Sequence, residues 1–246
     1  SAQLAWSGNH QQSIDWADDG RSIWMAGEWL APGEVDLAPG EALTTPDWLA
    51  TYSPNGRDGA AQNFHAAIRA RGPDPAGRKP RPVHLNTWEG FYFNHDEADL
   101  MALASEAAGL GIERFVLDDG WFRGRDDDTS ALGDWTPDPA KYPAGLGPLA
   151  RHVTGHGMEF GLWVEPEMVN PDSELHRTHP GWALQVSGRT LRTARNQLVL
   201  DMARPEVAQY LFNALSALLR DLPIVYLKWD HNRDLTQASG ANGRPA

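Results

Sequence analysis

Four times in the later part of the chain an apolar run breaks off into carboxylates, amides and indoles. Val83-His84-Leu85 leads into Asn86-Thr87-Trp88, and Arg114-Phe115-Val116-Leu117 into Asp118-Asp119-Gly120-Trp121. Phe160-Gly161-Leu162-Trp163-Val164 ends in Glu165-Pro166-Glu167, and Ile224-Val225-Tyr226-Leu227 in Lys228-Trp229-Asp230-His231-Asn232. A core strand has no use for such groups at its end, so each run reads as a buried strand whose C-terminal end opens into a common site. Between the runs lie helical stretches, at Asp96 to Gly109, about Gly147 to Gly157, and Pro205 to Arg220, the last with Val207, Leu211, Leu215 and Leu218 on one side. Strand alternating with helix predicts an α/β fold with a parallel sheet. Polar groups gathered at the C-terminal strand ends predict a partial (β/α)8 TIM-type barrel. A doubly wound open sheet is the alternative, and it loses ground because no glycine-rich phosphate turn follows the first strand.

The barrel region is short. Residues 83–246 form its first half, well below the roughly 250 residues of a complete barrel, so a fragment of a longer protein is expected. Residues 72–82, rich in proline and glycine, read as a linker. Residues 1–71 read as β-sheet material at the tail of a domain, followed by a bridging helix. An Asp19-Gly20 hairpin, two further strands punctuated by the Pro-Gly pairs at 32–33 and 39–40, and an amphipathic helix from Asp58 to Arg71 make up that part. Trp6, Trp16, Trp24, Trp29 and Trp48 are more indole than so small a sheet can bury alone. Elsewhere the pattern predicts a long polar loop around Gly133-Asp134-Trp135, a capped, loop-like helix from Asn170 to Pro180, and an extended run from Arg195 to Asp201.

A net charge of −12 and a pI near 5.1 argue against nucleic acid or an anionic membrane as a partner, since both require a basic face. The chain has no cysteine, hence no disulfide framework and no thiolate metal site. With no leader or membrane-length apolar run in view, a cytoplasmic location is expected, although the chain starts at Ser1 without an initiator methionine.

Side chains alternate across a strand, so Lys228, Asp230 and Asn232 share one face and Trp229 and His231 the other. A lysine two residues away favours the ionised form of Asp230, which makes it a carboxylate able to attack or stabilise a cationic carbon. The same residues would also serve as a strand-end salt bridge. The carboxylates Asp118, Asp119, Glu165, Asp201 and Asp230 fit an oxygen site for magnesium or manganese as another reading, and a non-catalytic sugar-binding module is a third. His152 with His156 and His176 with His179 have helical ligand spacing but lack a third partner, and are expected on the solvated surface.

The segments NTWEGFYF (Asn86 to Phe93), VLDDGWF (Val116 to Phe122), FGLWVEPEMV (Phe160 to Val169), RNQLVLD (Arg195 to Asp201) and YLKWDHNRD (Tyr226 to Asp234) resemble, in order, the microbial α-galactosidases of glycoside hydrolase family 36. WSGN (Trp6 to Asn9) and LAPGE (Leu37 to Glu41) resemble the end of that family's N-terminal β-sandwich. The resemblance implies a retaining hydrolase that removes terminal α-galactose from raffinose- or melibiose-type oligosaccharides through a covalent glycosyl-aspartate, without cofactor or metal. It makes Asp230 the nucleophile, with Lys228 and Asn232 touching the galactose. It also implies that Asp118 and Asp119 grip sugar hydroxyls, that Trp88 forms a site wall, and that Arg195 lies near the nucleophile. For Glu165 and Glu167 the intervening Pro166 suggests loop shaping. The family's general acid/base lies two strands later, past Ala246, so the chain on its own is expected to be inactive. Related activities implied by the resemblance are galactosyl transfer, as in raffinose-type synthases, and cleavage of α-N-acetylgalactosamine. The partners implied are an α-galactoside oligosaccharide and, for the full-length protein, further copies of itself.

Overall fold

The structure, a computed structural model, describes residues 1–30, 35–71, 80–186 and 188–235. It divides into two compact units, Ser1–Pro80 and Arg81 onward. The expected linker at 72–82 falls mostly outside the described residues.

The first unit holds two small antiparallel sheets. Strand β1 (Ala2–Leu4) pairs with β4 (Trp48–Ala50), and β2 (His10–Trp16) pairs with β3 (Ser22–Glu28) as a hairpin around Gly20. Two further strands were expected between Trp29 and Gly40; Trp29, Leu30 and residues 35–40 form none, and residues 31–34 lie outside the described residues. Helix α1 (Gly56–Arg71) follows, but of its apolar positions Ala60 alone is buried, while Ile68 stays 54 % exposed. Its expected apolar face is largely uncovered, and so are the indoles of the hairpin, with Trp16 at 76 %.

The second unit is built on four parallel strands, β5 (His84–Asn86), β6 (Arg114–Leu117), β7 (Glu159–Val164) and β10 (Ile224–Trp229), in the spatial order β10-β7-β6-β5. Between β5 and β6 lie the short α2 (Trp88–Phe91) and α3 (Glu97–Gly109), between β6 and β7 α4 (Gly147–Gly155), and before β10 α6 (Pro205–Asp221). Each helix forms where the sequence supplies a start signal and an apolar stripe. The Asp96 carboxylate caps α3 by accepting from the amides of Ala98 and Asp99, and Leu100, Ala104 and Ala107 bury its stripe. Pro205 opens α6, which buries Val207, Leu211, Leu215 and Leu218 as the spacing predicts. Four parallel strands with helical crossovers make a partial α/β barrel.

The two faces of the sheet are chemically distinct. Phe115, Leu117, Phe160, Leu162 and Ile224 face the helices and join one hydrophobic core. The alternate positions, His84, Arg114, Val116, Gly161 and Tyr226, share the opposite face. There the Arg114 guanidinium lies 4.4 Å from the Tyr226 ring centre and the His84 ring 5.8 Å from it. Strand β10 meets both demands by a register shift. Ile224 pairs with Phe160 and Tyr226 with Gly161, so Val225 is the extra residue of a bulge and stands 64 % exposed.

The segment between β6 and β7, expected as a polar loop, is instead a packed insertion. Trp121, Phe122, Leu132, Trp135 and Tyr142 are buried in it, and Phe122 and Trp135 pack ring to ring at 5.1 Å. The loop-like helix resolves into α5 (Glu174–Thr178), capped by Ser173, and one 3-10 turn at Pro180–Trp182. The extended run at 195–201 is also revised. Only Leu198–Val199 is strand, β9, paired antiparallel with β8 (Met168–Val169), and Arg195 and Asn196 form a left-handed turn with φ of 51° and 58°. No helix of the described residues is long and apolar enough to cross a membrane.

Gly161 lies where a Cβ would come within 3.0 Å of the Tyr226 ring and 3.1 Å of the Val116 side chain. Its missing side chain sets the spacing of three strands on the charged face. Gly161→Val is expected to lower stability by about 1–3 kcal/mol through overpacking, read as an earlier midpoint in urea with an unchanged slope.

Candidate active site

The polar groups at the four strand ends converge. At the end of β6 the Asp118 carboxylate, 2 % exposed, accepts from Nζ of Lys228 at 2.8 Å and from the Asn86 side-chain amide, so residues following or ending β5, β6 and β10 meet at one oxygen. Its backbone amide is fixed by the Thr87 hydroxyl at 3.0 Å. Asp118 in turn accepts from the Asp119 amide at 3.0 Å, which orients the neighbouring acid away from it.

Asp119 faces a different partner. Arg125 donates to both of its oxygens, from Nε at 2.9 Å and Nη2 at 2.8 Å, and the guanidinium lies over the rings of Phe93 and Phe122. Both side chains are buried. Burial pushes the Asp119 carboxyl up, against the pull of Arg125. Gly120, with a φ of 111°, makes the sharp return after the acid pair possible. A Cβ there would approach the Phe93 Cα at 3.0 Å and His95 Nε2 at 3.1 Å. His95 is held neutral at ordinary pH, lowered to about 4 by burial and the nearby Lys141 charge. Lys141 itself bonds the carbonyls of Phe93, Gly120 and Arg125, stapling the β5 and β6 loops together.

Asp230 lies one residue beyond β10. Its Oδ2 accepts from the Trp163 indole at 3.0 Å and its Oδ1 from the His231 amide at 3.1 Å. Burial pushes this carboxyl up, but the bonds from Trp163, Asn232 and the His231 amide, with the Lys228 charge, outweigh it and hold the carboxyl below its ordinary range. The lysine, read from sequence as the main activating neighbour, gives its ion pair to Asp118 and contributes to Asp230 through its field alone. Trp163 is the partner that sequence reasoning missed. Parallel pairing brings residue 163 opposite residue 228, a relation visible only once the strands are in register.

Glu165, read from sequence as loop-shaping and in the alternative as a cation ligand, is 1 % exposed and accepts from the Asn232 backbone amide at 2.6 Å and from Gln197 Nε2 at 2.9 Å. Burial pushes it up, opposed by the Asn232 and Gln197 bonds and supported by the charge of Asp230. The Asn232 side chain also pulls both the Glu165 and Asp230 carboxyls down, and its backbone amide on Glu165 ties the end of β10 to the end of β7. Glu167 instead accepts from the Trp229 indole at 2.9 Å.

Trp88 opens α2 with its amide bonded to Asn86 Oδ1 at 2.9 Å and its ring edge-on to Tyr92 and Phe93, both at 5.1 Å. The Asn86 side chain therefore joins Trp88 to Asp118. Arg195 sits in the exposed left-handed turn, whose neighbours Asn196 and Gln197 are bonded to Asn170 and Glu165 respectively.

The five carboxylates considered as a cation site are instead each held by separate donors, with Asp201 bonded to Arg204 and the Ala203 amide. Among the described residues no group of three or more histidines, aspartates or glutamates is arranged to hold a metal ion. His152 and His156 flank the Ser105 hydroxyl at 2.9 and 3.2 Å, so the pair reaches α3 from the end of α4; His156 and His179 are exposed as expected, and His152 and His176 partly so. A cavity of about 580 Å³ lined by Arg123, Trp135, Asp172, Arg177 and Tyr210 shares no lining residue with the acid cluster.

The melibiase family model matches residues 42–244. The chain is 48% identical to an Escherichia coli α-galactosidase, covering 100% of this chain and 35% of that protein, and 48% identical to α-galactosidase AgaA of Geobacillus stearothermophilus, covering 89% and 33%. Among solved structures it is similar to AgaA in complex with raffinose (42% identity, TM-score 0.89, 98% of this chain and 34% of that one). It is also similar to a Lactobacillus brevis α-galactosidase (40% identity, TM-score 0.91, 98% and 33%). The chain thus spans about a third of the length of the relatives it matches. With a family model over most of its length and relatives of this likeness, the chain belongs to the melibiase family, the α-galactosidases of glycoside hydrolase family 36.

Proposed function

We propose that this chain supplies the nucleophile and the galactose-gripping wall of a retaining α-galactosidase acting on raffinose-type oligosaccharides. The observation that carries the reading is the Asp230 carboxylate, bonded by the Trp163 indole and the His231 amide at the end of a parallel strand whose Lys228 is paired with the buried Asp118. In the proposed reaction an Asp230 oxygen attacks the anomeric carbon as the glycosidic bond breaks, the leaving oxygen takes a proton from a second carboxylic acid, and water then releases galactose with net retention. Asp118 and Lys228, a fixed anion and a fixed cation 2.8 Å apart, present an acceptor and a donor to vicinal hydroxyls. A site built that way discriminates strongly against a sugar lacking the matching hydroxyl. Trp88 lines the wall, Asn232 touches the galactose beside the nucleophile, and Arg195 reaches the sugar from its turn. Asp119 completes the acid pair that grips the sugar hydroxyls, held in place by Arg125.

The second acid is assigned to none of Asp118, Asp119 or Glu165, because internal donors already hold each of them. We also take the strands of residues 1–71 as the close of a β-sandwich, the full-length protein as self-associating, and its location as cytoplasmic, the last supported by the cysteine-free sequence.

Because Asp230 titrates below the usual carboxylate range, the stability it contributes is present above the pKa of an unfolded aspartate and lost as pH falls through its lower folded value. Trp163→Phe removes one donor to the ionised form, so Asp230 should rise. The acid limb of the kcat/KM profile for an aryl α-galactoside should then move to higher pH, with the alkaline limb unchanged. Asp230→Asn in the full-length gene product is expected to cut hydrolysis by on the order of 10⁴-fold or more. Asp230→Gly with added azide should form the β-galactosyl azide, since azide attacks the face vacated by the carboxylate. Full turnover by Asp230→Asn would refute the nucleophile assignment, and galactose binding without any turnover by the unaltered protein would favour a sugar-binding module.

A further inference from the structure

Asn170 is fully enclosed, and both ends of its side-chain amide are in use. Its Oδ1 accepts from Arg125 Nη1 and from the Leu132 amide, both at 2.9 Å. Its Nδ2 donates to the carbonyl of Asp128 at 3.2 Å and to that of Asn196 at 2.7 Å. On one side the residue therefore leads to the buried Arg125–Asp119 pair. On the other it holds the backbone of the turn that presents Arg195.

That turn needs holding. Arg195 and Asn196 both sit in the left-handed region, at the centre of a turn closed by Ala194 and Gln197; asparagine adopts that region readily, whereas arginine does so only where its surroundings impose it. The groups that hold it are the Ala194–Gln197 backbone pairing, the Asn170 amide on Asn196, the Asp128 carboxylate on the Asn196 side chain at 3.2 Å, Glu165 on the Gln197 side chain and the Arg233 guanidinium on the Gln197 carbonyl. Two of these tethers come from residues already bonded into the acid cluster, Glu165 directly and Asn170 through Arg125.

We propose that Asn170 is a positioning residue that fixes Arg195 relative to the acid pair, so that a displacement at Asp119 and one at Arg195 are coupled through a single amide. The proposal rests on the assignment of Arg195 to the galactoside. The chemistry requires an amide in this place. A carboxylate of the same shape still accepts from Arg125 and Leu132 but turns an oxygen toward the carbonyls of Asp128 and Asn196, so Asn170→Asp cuts only the arm toward the turn.

The test is a double-mutant cycle in the full-length gene product, reading kcat and KM for an aryl α-galactoside beside the melting temperature. Asn170→Asp is expected to lower kcat/KM by about 10- to 100-fold, as small displacements of a substrate contact do, in a protein that still melts cooperatively. Asn170→Asp combined with Arg195→Ala should lose no more than Arg195→Ala alone. Should Asn170→Asp fail to fold, Asn170→Ser, which keeps a small donor and acceptor in the same space, is read in the same cycle. Losses that multiply, or an Asn170→Asp enzyme with undiminished kcat/KM, would overturn the proposal while leaving the Arg195 assignment standing. Wild-type kinetics for Arg195→Ala itself would remove that assignment and the proposal with it.

Discussion

The ion pair between Lys228 and Asp118 is the constraint around which the rim is arranged. Its partners are 110 residues apart in sequence and come from strands that do not touch, since β7 lies between them. The carboxylate is almost wholly buried and the ammonium about one third exposed. An unpaired charge at the Asp118 position would be strongly unfavourable, so closure of the rim and burial of the acid depend on each other. Once that contact forms, the sheet order places Trp163 against Asp230 and Asn232 against Glu165.

A cluster of acids this dense survives because each has its own donor. Lys228 serves Asp118, Arg125 serves Asp119, Gln197 and the Asn232 amide serve Glu165, and Trp163 serves Asp230. Burial and hydrogen bonding then separate their behaviour: Asp119 and Glu165 are pushed up by desolvation, whereas Asp230 is drawn down. Different proton affinities within one small volume are what acid–base and nucleophilic chemistry need. The neutral donors are indole and amide groups, which supply polarity without adding charge.

Much of this was legible in the sequence because it depends on local chemistry. Polar groups at the ends of apolar runs identified the parallel strands, and the heptad-like spacing of Val207, Leu211, Leu215 and Leu218 identified α6 with its buried face. Strand alternation puts Lys228 on the Tyr226 face, whereas Asp230 and Asn232 lie past the end of β10, where alternation no longer applies. The missed features depend on distant partners. Trp163 becomes a partner of Asp230 through strand register, the insertion between β6 and β7 is buried by rings that meet only in three dimensions, and the left-handed turn at Arg195 and Asn196 is imposed by tethers from Asn170 and Glu165. Asn196 is a residue that favours such a turn, but Arg195 beside it carries no such signal.

The bulge at Val225 has a further meaning for how the strand can change. Upstream, Ile224 is tied to the helical layer, while downstream Tyr226 and Lys228 are tied to the opposite face. A strict two-residue period would put Ile224 and Lys228 on the same side. The one surplus residue works like a phase slip in a gear train, letting the hydrophobic half and the chemical half of one strand be selected separately. Drift in the packing of α6 can therefore be absorbed at the slip without rotating the acid-bearing rim.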